Sequence, residues 1–252
     1  MATTSVSQSR APKFPVRRPF NPRNERLFFA FMCLIILAAV FAGFARTYYL
    51  AGVFRAPLPN MLVHVHGAVF TLWIFTLITQ VTLVAAGRTD LHKRFGLFGF
   101  ALAVVMIIIG VWASTNALHR GLAPLGLSAT TFYMIPLTDM LAFAVLIFAA
   151  YRTRFQPVAH KRLILIATIA LLAAATIRWP LAIMHRKPFM MDVFVYLFLV
   201  PIVLYDLWVM RRVHKATIWG SVFLIVLHQI RVPLAFTAPW QAFASWVQHH
   251  GH

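Results

Sequence analysis

The sequence predicts an all-α integral membrane bundle of about seven transmembrane helices, with a cytoplasmic N-terminus and the C-terminus outside. Three observations predict it. Of 252 residues, 61% are hydrophobic and only 11% charged, where soluble domains carry about 25% charged residues. Seven apolar runs approach the ~20 residues needed to cross a hydrocarbon core of ~30 Å. Sixteen of the 23 Lys and Arg fall in the segments that this topology puts inside.

In chain order, residues 1–26 are polar and carry Pro12, Pro15, Pro19, Pro22 and six Lys or Arg. That composition predicts a disordered basic cytoplasmic tail. No short apolar stretch with a small-residue cleavage site follows, so the first span is expected to be an uncleaved anchor. The spans are expected at 27–49, 61–86, 97–117, 132–151, 162–184, 191–210 and 217–236, so that 27–236 is one membrane domain. Residues 237–252 place Trp240, Phe243 and Trp246 at helical spacing. This tail is expected to be a short interfacial helix lying on the membrane surface.

The formal net charge is +18. In short loops and a tail, that charge sets topology and meets anionic lipid headgroups. No stretch joins a basic patch to an exposed aromatic platform, so nucleic acid is not an expected partner. Cys33 is the one cysteine, which excludes an intrachain disulfide and Cys-based zinc or iron–sulfur sites. Its expected role is that of a small buried apolar residue. There is no His-Glu-x-x-His, Gly-x-Ser-x-Gly or Gly-Lys-Ser/Thr motif. With five acids in total, a two-carboxylate hydrolase site or a magnesium cage is not expected.

The chemistry is sought in the histidines. His92-Lys93-Arg94 returns as His160-Lys161-Arg162 and, more weakly, as His214-Lys215, each opening an apolar run at the inner side. A helix N-terminus keeps an imidazole neutral and able to ligate iron. His92 and His160 on neighbouring helices are therefore candidates to hold one haem b, with Lys93, Arg94, Lys161 and Arg162 neutralising its propionates. The competing reading is an ordinary basic turn against headgroups. In the second span, His66, Trp73 and Gln80 are spaced by seven and share one face, with Thr76 close to it. A polar stripe on a spanning helix is expected to face the bundle interior. His64 lies about 200° away from His66. Gly67 leaves room for a flat group or a neighbouring backbone. His66 is either an axial ligand near the outer surface or an interfacial histidine.

Further along, Arg178 follows His160 by five helical turns and is expected on the same face. Asp139, two turns into the fourth span from outside, is expected at a similar depth and to pair with Arg178, because unpaired charges are costly in lipid. The seventh span carries His228 near mid-membrane, with Gln229 and Arg231. His66, Asp139, Arg178, His228 and Arg231 are expected to line one outer-half polar cavity fit for a second haem, a quinone or a proton relay. Asp206 is expected to answer the inner Arg cluster, and His119, His185 and His214 to be surface histidines.

The pattern His66-Gly67…Gln80…Leu91-His92-Lys93-Arg94-Phe95-Gly96, followed by His160-Lys161-Arg162-Leu163 and ending near Arg178, resembles uncharacterised bacterial polytopic membrane families with domains of unknown function. Those are loosely similar to diheme b-type cytochromes of the b561 kind. The resemblance covers roughly 60–185. It implies a bacterial cytoplasmic (inner) membrane location, haem b as cofactor and His66, His92 and His160 as ligands, with His228 or His119 as the second outer ligand. The leading expectation is a haem b-binding redox protein that passes electrons to a quinone or another redox partner, with His66, His92, His160, His228, Arg94, Arg162 and Arg178 at the cofactor. The alternatives are a non-redox or proton-coupled carrier using Asp139, Arg178 and His228, and a structural or assembly subunit.

Overall fold

A computed structural model describes residues 22–57, 60–122, 126–179, 181 and 190–250. The described residues form helices and no strands. The helices are α1 Pro22–Phe44, continued by a π-helical turn Ala45–Tyr49, α2 Met61–Ala85, α3 Thr89–His119, α4 Ala129–Arg152, α5 Pro157–Ala170, α6 Ala173–Thr176, α7 Met190–Leu197, α8 Val200–Met210, α9 Lys215–Ala235 and α10 Ala238–His250. They make seven stretches long and apolar enough to span a membrane, α5–α6 forming the fifth and α7–α8 the sixth. The expected tail at 1–26 overlaps this fold: α1 starts at Pro22, and residues 1–21 lie outside the described residues.

Local chemistry sets the ends. Asn60 caps α2 by accepting the Val63 N–H at 2.9 Å, and Ser128 caps α4 by accepting that of Thr131 at 3.2 Å. Pro157 opens α5, where a missing N–H costs nothing. Gly87 takes φ 74° in the turn between α2 and α3, a backbone state that side chains strain. The end where α1, α3, α5 and α9 begin carries Arg23, Arg26, Arg88, Lys93, Arg94, Lys161 and Lys215, and is called here the basic end.

Consecutive helices pack as neighbours from α2 to α5, α9 lies against α4 and α5, and α1 lies against α2 and α6. The fifth span is central: 67% of its apolar window is buried, against 17% for the second span. Its inner surface is partly small, with Ala167, Ala170, Ala173 and Ala175 buried, which allows close helix approach. Large side chains such as Phe31, Phe75, Trp112 and Phe148 point outward, as a lipid-facing surface requires. Cys33 is buried.

Two spans are broken in mid-course. After α5, Leu171 and Leu172 donate three residues back, to Thr168 and Ile169, the tighter 3₁₀ pattern. After α7, Phe198 and Leu199 do the same, because Pro201 has no N–H to continue the ladder to Leu197. The tail helix α10 does not simply lie on the membrane. It docks on the far end of α3 and α4, with Trp240 Nε1 donating to the Thr130 carbonyl at 2.9 Å and Gln248 Nε2 to that of Leu118 at 3.1 Å. Phe243 and Trp246 remain exposed on its outer side, as an interfacial helix needs.

α1 and α6 touch backbone to backbone. A Cβ on Gly43 would clash with the backbone of Ala175, and backbone cannot give way. Gly43→Val is expected to destabilise the bundle by about 1–3 kcal/mol, read as a lowered midpoint in thermal unfolding of the detergent-solubilised protein. An unchanged midpoint would mean the two helices do not meet there.

Candidate functional site

Two buried ion clusters lie inside the bundle. The first is at the basic end. Asp206 of α8 is fully buried and takes four donors: Arg162 through Nε at 2.8 Å and through Nη2, the His214 backbone N–H at 3.0 Å and Thr217 Oγ1 at 2.6 Å. Arg162 also donates to the Val158 carbonyl at 2.8 Å. Asp206 thus answers the basic cluster as the sequence suggested. The same bonds turn Arg162 into the protein, so it is committed to Asp206 and does not stand beside a cofactor's propionates. Lys161 pairs with Glu25 at the start of α1. Arg94 is exposed. His214 caps α9 by accepting the Ala216 N–H at Nδ1, 3.1 Å away. Burial, then the Arg162 charge, hold its pKa below the ordinary histidine value, which keeps that acceptor nitrogen bare.

The second cluster lies in the opposite half. His228 and Arg231 stand one turn apart on α9, so both reach the same side. Arg231 donates through Nη1 to Asp139 of α4 at 2.6 Å and to Thr138 Oγ1 at 3.3 Å, and through Nη2 to Asp192 of α7. His228 sits between the same two carboxylates, with Nε2 3.4 Å from Asp139 and Nδ1 3.3 Å from Asp192. Neither contact is an aligned hydrogen bond. All four residues are buried, His228 completely. The Tyr196 ring lies 5.8 Å from the His228 ring, and its hydroxyl accepts from Gln229 at 3.1 Å. In charge terms, two aspartates and one arginine leave one negative charge unless His228 carries a proton. The cluster is therefore neutral with one added proton and carries one negative charge without it, in a buried setting.

The expected Asp139–Arg178 pair does not form. The expectation ran one unbroken helix from His160 to Arg178, and the break at Leu171–Leu172 destroys that phase. Arg178 is exposed, bonds the Ala174 carbonyl and lies 4.7 Å over the Phe44 ring. Asp139 takes Arg231 instead. Asp192 was missed by the sequence reading altogether. Its signal was present: it is one of five acids, beside a long apolar run, and so needs a buried cation.

The candidate histidines do not converge on one centre. His228 belongs to the ion cluster. His66 lies near the far end of α2, its ring stacked on Phe70 at 4.1 Å and its Nδ1 buried without a partner. The space beside Gly67 is filled by Tyr48: a Cβ there would meet its ring at 2.7 Å. His92 and His160 are at the basic end, within electrostatic reach of each other. His160 Nδ1 faces the Ala150 carbonyl at 2.9 Å, which only a donor can do, so Nε2 is left bare. His92 Nδ1 and both amide atoms of Gln80 are buried without partners. His119 is tied to the Val247 carbonyl at 3.0 Å. His185 lies outside the described residues. On the stripe of α2, Trp73 is spent on packing, donating to Thr168 at 3.2 Å and meeting Phe143 edge to face. Among the described residues, no group of three or more His, Cys, Asp or Glu is placed to hold a metal ion. No protein-family model, curated protein or solved structure matches the chain.

The clusters predict unequal costs for two arginines. Arg231→Met strands two buried aspartates and is expected to cost about 3–5 kcal/mol, whereas Arg178→Met is expected to cost under about 1 kcal/mol. Denaturant or thermal unfolding of the two variants side by side checks the order; equal losses would contradict the pairing.

Proposed function

We propose that this seven-span protein is a proton-coupled membrane carrier, with His228 as the proton site and Asp139, Asp192 and Arg231 as the frame around it. The observation that carries the reading is the position of one imidazole between two buried carboxylates that share one guanidinium. With the proton on His228 the cluster is neutral. Without it, one negative charge remains in a low-dielectric interior, which is expensive. Proton loss is therefore favourable only if the cluster opens to water or takes in a cationic or hydrogen-donating solute, and that linkage is what a coupled carrier needs. The helix breaks support it. Asp192 sits on α7, an eight-residue helix separated from α8 by the interruption at Phe198–Leu199. Pro136 lies inside α4 one turn from Asp139. Discontinuous spans beside a buried polar site are the usual architecture of secondary carriers. In this reading the basic end faces the cytoplasm of a bacterial cell and meets anionic lipid there.

The test is decay of an imposed pH gradient in proteoliposomes carrying an internal pH dye. Amino acids, carboxylates, sugars and organic cations are added one at a time. Proton movement is expected to appear with one solute class and to vanish in His228→Gln, whose thermal midpoint is checked beside the wild type. A wild-type protein that moves no more protons than empty liposomes, whatever the solute, refutes the reading.

A second reading has its own observation. His160 with a bare Nε2, within electrostatic reach of His92, fits the two-imidazole clasp of a haem b, which would supply one-electron chemistry; Arg94 is an exposed cation available for a propionate. Protein expressed with ample haem precursor is expected, on this reading, to give a sharp reduced-minus-oxidised alpha band. His160→Ala removes that band and His228→Ala keeps it. Colourless wild-type protein rejects this second reading and leaves the proton site untouched.

A further inference from the structure

The groove between α2 and α3 in the basic half holds a different kind of site. It is lined by Phe75, Thr76, Thr79 and Gln80 of α2 and by Phe95 and Phe98 of α3, and encloses about 170 Å³. Phe75, Phe95 and Phe98 are exposed on the outer surface of the bundle, so the mouth opens towards lipid rather than towards either aqueous face. At the floor, Gln80 has both amide atoms buried and neither bonded. The His92 ring hydrogen-bonds the Gln80 backbone, which leaves its Nδ1 buried without a partner. Opposite the floor α3 presents glycine: a Cβ on Gly96 would lie 4.0 Å from Gln80 Nε2, and one on Gly99 3.5 Å from the Thr76 methyl. Thr76 turns its hydroxyl back to the Leu72 carbonyl at 2.8 Å, leaving the unbonded Gln80 amide at the floor.

Two unsatisfied amide atoms on one groove-lining side chain are unusual for a lipid-facing pair of helices, where nothing in the solvent can bond them. An amide that is free at both atoms offers one donor and one acceptor side by side. The His92 ring, with its other nitrogen engaged by the Gln80 backbone, leaves Nδ1 as an acceptor only. That combination suits a group which is an acceptor in one form and a donor in the other. The volume is well below the roughly 300–1,000 Å³ of sites that enclose a whole small molecule. It takes one ring, while the remainder of the ligand stays in the bilayer. The aromatic walls suit a flat, polarisable ring.

We propose that this groove binds the head group of a lipid-soluble quinone or its quinol, the quinone carbonyl accepting from Gln80 Nε2 and the quinol hydroxyl donating to Gln80 Oε1. The proposal concerns binding alone and stands apart from the proton site on α4, α7 and α9, so either holds if the other fails.

The experiment uses full-length protein in nanodiscs, with decylubiquinone as probe and 1-decanol as the tail without the ring. Quenching of tryptophan fluorescence is titrated, Trp73 lying on the same helix. A saturable quench by the quinone, absent with decanol, is expected. Gln80→Leu is expected to weaken it at least tenfold while leaving the protein folded, because the change removes unbonded polar atoms from an apolar setting. Gly96→Leu, which fills the groove from the other wall, is expected to weaken it as much. Gln229→Leu, at the Tyr196 hydroxyl, is expected to change the titration less than twofold. Non-saturable quenching, equal response to decanol, or full affinity in Gln80→Leu and Gly96→Leu would each overturn the proposal.

Discussion

Arg231 holds Asp139 and Asp192 at once, and much of the arrangement follows from that. A guanidinium in a membrane interior is tolerable only when its charge is answered by nearby carboxylates. The chain has five acids. Four of them are spent on clamps between helices: Glu25 with Lys161, Asp206 with Arg162, and the aspartate pair with Arg231. Only Asp90, paired with Arg88 within one turn, stays on the surface. Charge is so scarce that nearly every acid marks a junction.

The two buried clamps share α9. At the basic end, Thr217 and the His214 backbone meet Asp206; in the other half, His228 and Arg231 meet Asp192. Span six, formed by α7 and α8, is therefore fastened to its neighbours near both ends by ionic contacts and interrupted between them at Phe198–Leu199. Between the pins, Val195, Leu199, Ile202 and Tyr205 of the same span pack into the hydrophobic core. A proton on His228 changes the charge at one of those pins.

The unsatisfied atoms tell the complementary story. The clusters on α9 consume most of the polar groups brought into the bundle, yet both amide atoms of Gln80 stay unbonded at the outer groove between α2 and α3. Buried groups of that kind are rare because each costs free energy in apolar surroundings. Their place, facing lipid and walled by phenylalanines, separates them from the ion clusters in both chemistry and access.

What the sequence by itself determined was the class of fold and its scaffolding. Hydropathy alone placed seven spans, because a backbone in hydrocarbon must bond within its own helix and so announces itself by length and composition. The sequence also pointed to Asp206 as the answer to the inner Arg cluster and, by aromatic spacing, to a helix in the tail. The partner of Asp139 was settled only in three dimensions. Extrapolating helical phase from His160 to Arg178 failed at the 3₁₀ turn of Leu171–Leu172, an interruption that no proline or glycine within the turn announces. Asp192 joined the cluster through a contact across 36 or more residues to His228 and Arg231, which local pattern cannot encode. Gln80 revealed itself as unbonded only once every neighbour was in place. Periodicity reports which residues share a face of one helix; which faces meet, and which polar atoms are left over, is decided by how the helices pack.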